Sequence, residues 1–190
     1  MVRAVVVFGC GWLPLAAVKY FAVGLGRAIP LPEILYLAPA WLLAAIGTAV
    51  SARMATRRLG RRGAAGWAVA TAAVIALMVC VNWVHFHATT WYAMHRSEYA
   101  AVLRDAEHRV PTEPLPEDVL SIDTGNGPRV WYIRVWKGFL ACSAGYAHFD
   151  GSPEKYMPGV VIDSHDYLDD GLGCALHPTV EVGDGWWWVE

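Results

Sequence analysis

Two long apolar runs on either side of a cluster of arginines constrain this chain more than any other feature of its sequence. The first run, residues 34–52, reads ILYLAPAWLLAAIGTAVSA, and the second, residues 64–84, reads AAGWAVATAAVIALMVCVNWV; neither contains a charged residue. A helix needs about 20 apolar residues to cross the hydrocarbon core of a bilayer, so each run is long enough to span. The sequence therefore predicts a membrane hairpin.

The residues between the two runs predict how that hairpin is oriented. They include five arginines, Arg53, Arg57, Arg58, Arg61 and Arg62. Short loops rich in Lys and Arg stay on the cytoplasmic side of a membrane. We therefore expect residues 53–63 to form a cytoplasmic loop and the five arginines to determine the topology.

An earlier apolar segment, residues 4–25, predicts a third spanning helix with a cytoplasmic N-terminus. It carries one charge, Lys19, and one proline, Pro14, and proline is tolerated in membrane helices. A cleaved signal peptide is the alternative, but no convincing small-residue cleavage site follows the run. We therefore expect residues 1–91 to form a transmembrane region with helices at about 4–25, 34–52 and 64–84. The protein is then predicted to be a multi-pass protein of the cell membrane, with the lipid bilayer as one of its partners.

Charge separates this region from the rest of the chain. Residues 1–91 carry eight basic groups and one acidic group, whereas residues 92–190 carry seven basic and sixteen acidic groups. The acidic half is expected to face water outside the cytoplasm, after an odd number of crossings from the arginine loop. Its charge argues against nucleic acid as a partner, because phosphates would be repelled.

The water-facing half predicts a small α+β domain, a helix packed on an antiparallel sheet. Aromatic and apolar residues recur every three or four positions over 92–110, which indicates a juxtamembrane amphipathic helix that continues from the third span. A Pro-rich linker, 111–118, follows, and then an exported β-rich domain, 119–190. Its β-branched and aromatic segments predict strands at 119–123, 129–136, 139–149, 160–163, 179–182 and 186–189.

Two cysteines of this domain, Cys142 and Cys174, predict a disulfide. Exported domains with small cores often contain disulfides, and this one would stabilise the fold by about 3–4 kcal/mol. A metal site is the alternative, but neither cysteine belongs to a C-x-x-C pair. Cys10 and Cys80 lie in apolar runs and are expected to be inert.

No motif in the chain predicts a catalytic residue, a metal site or a cofactor. The acidic loop 163–171, DSHDYLDDG, fails the EF-hand template, and no G-x-S-x-G, H-E-x-x-H or P-loop is present. His85, His87 and His95 are interpreted as interfacial histidines rather than a metal cluster, since residues two apart on a helix point to different faces. An exported hydrolase or metal-dependent enzyme remains the alternative, and its candidate residues are His148, His165, His177, Asp163, Asp166, Asp169 and Asp170.

Three consecutive tryptophans, Trp186, Trp187 and Trp188, follow a turn at Gly183-Asp184-Gly185. In a strand, Trp186 and Trp188 share one face and Trp187 points to the other. We expect Trp131, Trp136, Trp186 and Trp188 to lie near one another and to supply part of the core. We expect Trp187, with Trp186 and Trp131, to contact a partner, with Trp187 the most exposed.

The stretch from Cys174 to Trp188, CALHPTVEVGDGWWW, after an Arg-rich hairpin resembles the exported C-terminal domain of uncharacterised small three-helix membrane proteins of high-GC bacteria. In those proteins a cysteine precedes Gly-Asp-Gly-Trp-Trp at the end of that domain. The resemblance implies the topology and no activity. The leading hypothesis is thus a non-enzymatic, membrane-anchored binding or accessory protein that presents its domain to a protein partner outside the cytoplasm. A channel or transporter is a third possibility, which would need a polar cavity among the helices.

Overall fold

A computed structural model of the chain describes residues 2–28, 32–108, 118–122, 130–136, 143–151, 153, 162–163 and 175–190. The chain divides into two compact units. The first, which we call the helical bundle, comprises residues 1–23 and 31–86. The second, which we call the mixed domain, comprises residues 24–30 and 87–190.

Three helices are seen in the described residues: α1 from Val2 to Ala28, α2 from Glu33 to Cys80 and α3 from Trp83 to His108. Among the described residues, three segments are long and apolar enough to cross a membrane, Val2–Gly24, Glu33–Arg58 and Arg62–Cys80. The second and third segments both belong to α2, which is interrupted at Gly60. The sequence prediction of three apolar spans is therefore confirmed by length and composition.

The arginine segment differs from the predicted loop. Residues 53–63 are helical apart from Gly60, whose φ of 63° and ψ of −151° break the helix. Arg, Ala, Met and Leu are good helix formers, so the helix continues through the charged segment until glycine allows a conformation closed to other residues. The reversal between the two spans is thus concentrated at one residue rather than spread over a loop.

A second difference lies between the last span and α3, which were predicted as one continuous helix. Val81 is extended, with φ −69° and ψ 127°, and α3 begins two residues later. The side-chain Oδ1 of Asn82 accepts a hydrogen bond of 3.0 Å from the backbone N–H of His85. Asparagine is a favoured N-cap residue, and its cap explains the separate start of α3.

Aromatic and small residues hold the helical bundle together. Its buried core consists of Trp12, Leu15, Ala40, Ala44 and Met78. These residues come from α1 and from both arms of α2, so all three spans share one core.

The first crossing in the bundle depends on glycine. A Cβ added at Gly11 would lie 2.9 Å from the carbonyl oxygen of Leu43 and 3.2 Å from the Cα of Gly47. Small residues let helix backbones approach this closely, as they do at membrane helix interfaces. Beside the crossing, the indole N–H of Trp12 donates to the hydroxyl of Thr48 at 2.9 Å.

The second contact in the bundle joins the two arms of α2. The indole N–H of Trp67 donates to the hydroxyl of Ser51 at 2.8 Å, across 16 residues of sequence. Ser51 is fully buried, and its own hydroxyl also bonds the carbonyl oxygen of Thr48 at 2.9 Å. The two arms therefore run back alongside each other from the break at Gly60.

The mixed domain contains a small antiparallel sheet, as the sequence predicts. Its described strands are β1 (Val119–Ile122), β2 (Val130–Trp136), β3 (Ala144–His148), β4 (Ile162–Asp163), β5 (Ala175–Leu176), β6 (Pro178–Gly183) and β7 (Trp186–Val189). Five of them form one sheet in the order β1-β2-β3-β7-β6, while β4 pairs with β5 alone. Strand β5 is absent from the sequence prediction. Strand β3 lies within the strand predicted at 139–149, of which residues 139–142 are outside the described residues.

The five-stranded sheet buries residues on both faces. On one face, the last strand places Trp186 and Trp188 with their cross-strand neighbours His148 and Tyr146. On the other face, a separate core consists of Val130, Tyr132, Ala147, Phe149 and Val189. The sequence predicts that Trp187 is the most exposed of the contact tryptophans, and the second core affects how this residue is held.

Candidate binding surface

A ladder of rings runs along one side of α3. His87, Trp91, His95 and Tyr99 are spaced four residues apart, so successive side chains lie one above another on the helix. Ring centroids are 5.6 Å apart for His87 and Trp91, 4.7 Å for Trp91 and His95, and 6.0 Å for His95 and Tyr99. The interplanar angles of 20–24° make all three contacts stacked.

The first face of the sheet packs on this helix. The Trp188 ring lies edge-on to His87 at 5.6 Å and to Tyr146 at 5.1 Å. The hydroxyl of Tyr146 donates to the main-chain carbonyl of Ala88 at 2.8 Å, in a fully buried position. Ring packing and one directional hydrogen bond thus fix α3 on the sheet.

A bulge in β2 brings another tryptophan to the same interface. The pairing of β2 with β3 shifts register between Arg134 and Trp136. Because side chains alternate along a strand, one extra residue turns the next side chain to the opposite face. The Trp136 ring accordingly lies 6.4 Å from that of His87 and 6.3 Å from that of Trp91.

Two of the sequence interpretations need correction here. Trp186 is 2 % exposed and contacts Tyr92 and Tyr99, so it belongs to the core and offers no surface to a partner. His87 is fully buried among aromatic rings rather than placed among lipid headgroups. Both residues were judged from local spacing, whereas their burial depends on α3 packing against β7.

An ion pair links the β6–β7 turn to α3. Asp184 has a φ of 54°, and its carboxylate accepts two hydrogen bonds from the Arg96 guanidinium, at 2.7 and 3.0 Å. The Tyr92 hydroxyl donates to the same carboxylate at 3.1 Å. The Arg96 bonds first, and the Tyr92 bond second, hold the pKa of Asp184 below its usual value. Burial, together with the bond to Asp184, raises the pKa of Tyr92 to about 12.

The surface beside this turn is concave and acidic. A hollow of about 660 Å³ is lined by His148, Phe149, Asp150, Gly151, Glu181, Asp184, Gly185 and Trp187. Three of these residues are carboxylates, and one of them, Asp184, is already paired with Arg96. The backbone N–H of Phe149 donates to the carbonyl of Gly185 at 2.8 Å, so a hydrogen bond joins the end of β3 to the turn. We call this hollow the acidic hollow.

Trp187 is held firmly within the acidic hollow. It is half-buried, and part of its ring packs against the second core, which includes Phe149 and Val189. Its cross-strand neighbour on β6 is Glu181, which also lines the hollow. An aromatic side chain that is anchored on one side and accessible on the other loses little conformational entropy when a partner binds. Trp131 is also half-buried, and it pairs with His148 in the sheet but does not line the hollow.

The described lining residues offer negative charge and an aromatic ring. None of the residues that the structure describes around the hollow is Ser, Thr, Cys or Lys. Within the described residues, no three His, Cys, Asp or Glu side chains are grouped so that they could hold a metal ion. Carboxylates around an aromatic ring suit a positively charged group, by ion pairing and by cation–π contact.

Several sequence predictions fall outside the described residues. His165, Asp166, Asp169 and Asp170 of the enzyme hypothesis lie there, as do both cysteines of the predicted disulfide, Cys142 and Cys174. His177 is described and exposed, on the segment that leads into β6. The disulfide stays a prediction. The described cysteines, Cys10 and Cys80, are free and exposed.

The sequence prediction named Trp187 but did not include the carboxylates that line the same hollow. Asp150 and Glu181 are 31 positions apart and line one hollow because β3 and β6 flank β7. One available signal was the Gly-Asp-Gly turn immediately before the tryptophans, which places Asp184 beside them. The strong acidity of residues 92–190 was the other.

Comparison with known proteins adds no functional assignment to this geometry. The resemblance to small three-helix membrane proteins stays a prediction. No protein-family model, curated protein or solved structure matches this chain.

Proposed function

We propose that this chain is a membrane-anchored, non-enzymatic binding protein whose mixed domain recognises a basic segment of a protein partner outside the cytoplasm. The observation that carries the proposal is the acidic hollow, in which Trp187 is anchored beside Asp150, Glu181 and Asp184. Interface hot spots are typically aromatic residues held in such well-packed surroundings. Glu181, which is exposed beside Trp187, would select a Lys- or Arg-bearing segment, and the acidic rim would steer that segment during encounter.

Membrane placement is the second part of the proposal. The three apolar segments would cross the cell membrane, and the arginines at the Gly60 break would keep that end in the cytoplasm. Three crossings from a cytoplasmic N-terminus would put the mixed domain on the other side. In that compartment the Cys142–Cys174 disulfide would form. Mass mapping of unreduced protein tests this bond, and two free thiols would refute it.

Photo-crosslinking in living cells tests the partner surface. A photoreactive phenylalanine analogue placed at Trp187 should give a specific adduct with one protein. The same analogue at Thr179, an exposed residue of the neighbouring strand β6, serves as the control and should give little.

Charge variants complete the test. Glu181→Gln should weaken the adduct formed from position 187, and raising the salt concentration should weaken it further. Glu98→Gln removes an exposed carboxylate on α3, away from the lining residues, and should leave the adduct unchanged. Equal adducts from positions 187 and 179, or equal effects of the two charge changes, would contradict the proposal.

A further inference from the structure

A second cavity lies in the helical bundle, at the end where α2 is broken. Its volume is about 540 Å³, and three arginines line it together with small and apolar residues. The lining residues are Arg3, Ala4, Met54, Ala55, Arg58, Arg62, Gly63, Gly66, Trp67 and Ala70. All of them belong to the helical bundle, so the cavity is a property of that unit alone.

The charge on this cavity is entirely positive. Arg3 comes from α1, and Arg58 and Arg62 come from the two sides of the break at Gly60. No carboxylate lines the cavity, and no ion pair involves these arginines within the part of the chain described. The one acidic residue of the first 91, Glu33, begins the span that ends at Arg58, so about 37 Å of helix separates the two.

The remaining walls are apolar and leave open space. Met54 and Ala70 face the cavity from opposite arms of α2, and Trp67 lines it while its indole N–H bonds Ser51. A Cβ added at Gly66 would meet no atom within 4 Å. A site with cations beside an open apolar wall suits a molecule that has an anionic group attached to a hydrocarbon chain.

We propose that this cavity binds an anionic phospholipid, with the phosphate between Arg3, Arg58 and Arg62 and an acyl chain along the wall formed by Met54 and Trp67. Basic pockets between membrane helices commonly hold anionic headgroups, and tryptophan is enriched at that depth. The inference goes beyond partner recognition by the acidic hollow and depends only on placement of the bundle in a membrane. Resistance of the chain to extraction from membranes at alkaline pH tests that placement separately.

Lipid retention by the purified full chain tests the proposal. The protein in neutral detergent is mixed with equal amounts of phosphatidylglycerol and phosphatidylethanolamine of the same acyl chains, and bound lipid is counted by native mass spectrometry. Each arginine near a lipid phosphate raises the affinity roughly fivefold. The double variant Arg58→Gln/Arg62→Gln should therefore retain at least about tenfold less phosphatidylglycerol than the unmodified protein. The matched control, Arg53→Gln with Arg57→Gln, removes two exposed arginines of the same helix that do not line the cavity and should change retention little.

A second variant fills the cavity without changing its charge. Because a side chain at Gly66 meets open space, Gly66→Leu should fold normally and still displace phosphatidylglycerol. Inorganic phosphate in excess should not compete, since it lacks the acyl chain. Four results would each overturn the proposal. The unmodified protein could retain the two lipids equally, or the two double variants could lose phosphatidylglycerol equally. Gly66→Leu could retain as much phosphatidylglycerol as the unmodified protein, or inorganic phosphate could compete fully.

Discussion

Replacing Trp188 by alanine should unfold much of the mixed domain. Trp188 is fully buried and lies in β7, between the neighbouring strands β3 and β6. Its ring contacts His87 on α3 and Tyr146 on β3. The substitution therefore removes the side chain at which the helix and the middle of the sheet meet.

The size of the effect follows from the area involved. A buried tryptophan removes about 200 Å² from water, and at about 25 cal/mol per Å² this corresponds to roughly 5 kcal/mol. Alanine retains part of that contribution, and substitutions of this kind typically cost about 3–5 kcal/mol. The loss is comparable to the total stability of many small domains, which begins at about 5 kcal/mol.

Urea unfolding of the full chain in detergent measures this effect. Near-ultraviolet circular dichroism reports the aromatic packing, and the midpoint should fall by about 1–5 M urea for a cost of this size. Trp187→Ala is the matched control, since it changes the same residue type in the same strand at a half-buried position, and its midpoint should move less than half as far. A larger shift for Trp187→Ala than for Trp188→Ala would show that the two faces of β7 have been misjudged.

Three further predictions concern the contacts described above. Asp184→Asn should remove the acid sensitivity of the turn. The pKa of Asp184 is lowered in the fold, so the bonds from Arg96 stabilise the folded turn fully above the usual pKa of 3.8, and this stabilisation is lost as the pH falls through the lower folded pKa. The rate of proteolysis at the turn, measured against pH, would show this loss in the unmodified protein and not in the variant. Gly60→Ala should lower the stability of the helical bundle by about 1–3 kcal/mol through the backbone conformation alone, since the added Cβ meets no atom within 4 Å. Gly66→Ala should not destabilise the bundle, and thermal unfolding in detergent compares the two variants. Tyr146→Phe should cost about 0.5–1.5 kcal/mol, measured by the same urea unfolding, because one buried hydrogen bond to the α3 backbone is lost; an unchanged midpoint would show that this bond contributes nothing.

The helical part of the fold was predictable because composition determines it. Runs of uncharged residues long enough to span a bilayer identified all three spans. The breaks were harder to locate, since they depend on single residues: the left-handed conformation of Gly60 and the cap at Asn82. The arginine segment was predicted as a loop because of its charge, although the residues on both sides of Gly60 are good helix formers.

Individual strands of the sheet could be predicted from the sequence, but the order in which they pair could not. Alternation correctly placed Trp186 and Trp188 on one face of β7, opposite Trp187. It gave no indication that Val130 and Phe149 build a second core on the other face and hold Trp187 partly buried. The acidic hollow depends on strand order, which brings together residues distant in sequence, and no local pattern encodes that order.

The most direct test of the account is the side of the membrane on which the mixed domain lies. Two reporters are fused separately after Glu190: a phosphatase that is active only outside the cytoplasm and a fluorescent protein that matures only inside. We expect phosphatase activity and no fluorescence at Glu190, and the reverse for fusions made at Arg61 beside the helix break. Fluorescence without phosphatase activity at Glu190 would contradict the account, because the acidic hollow would then face the cytoplasm.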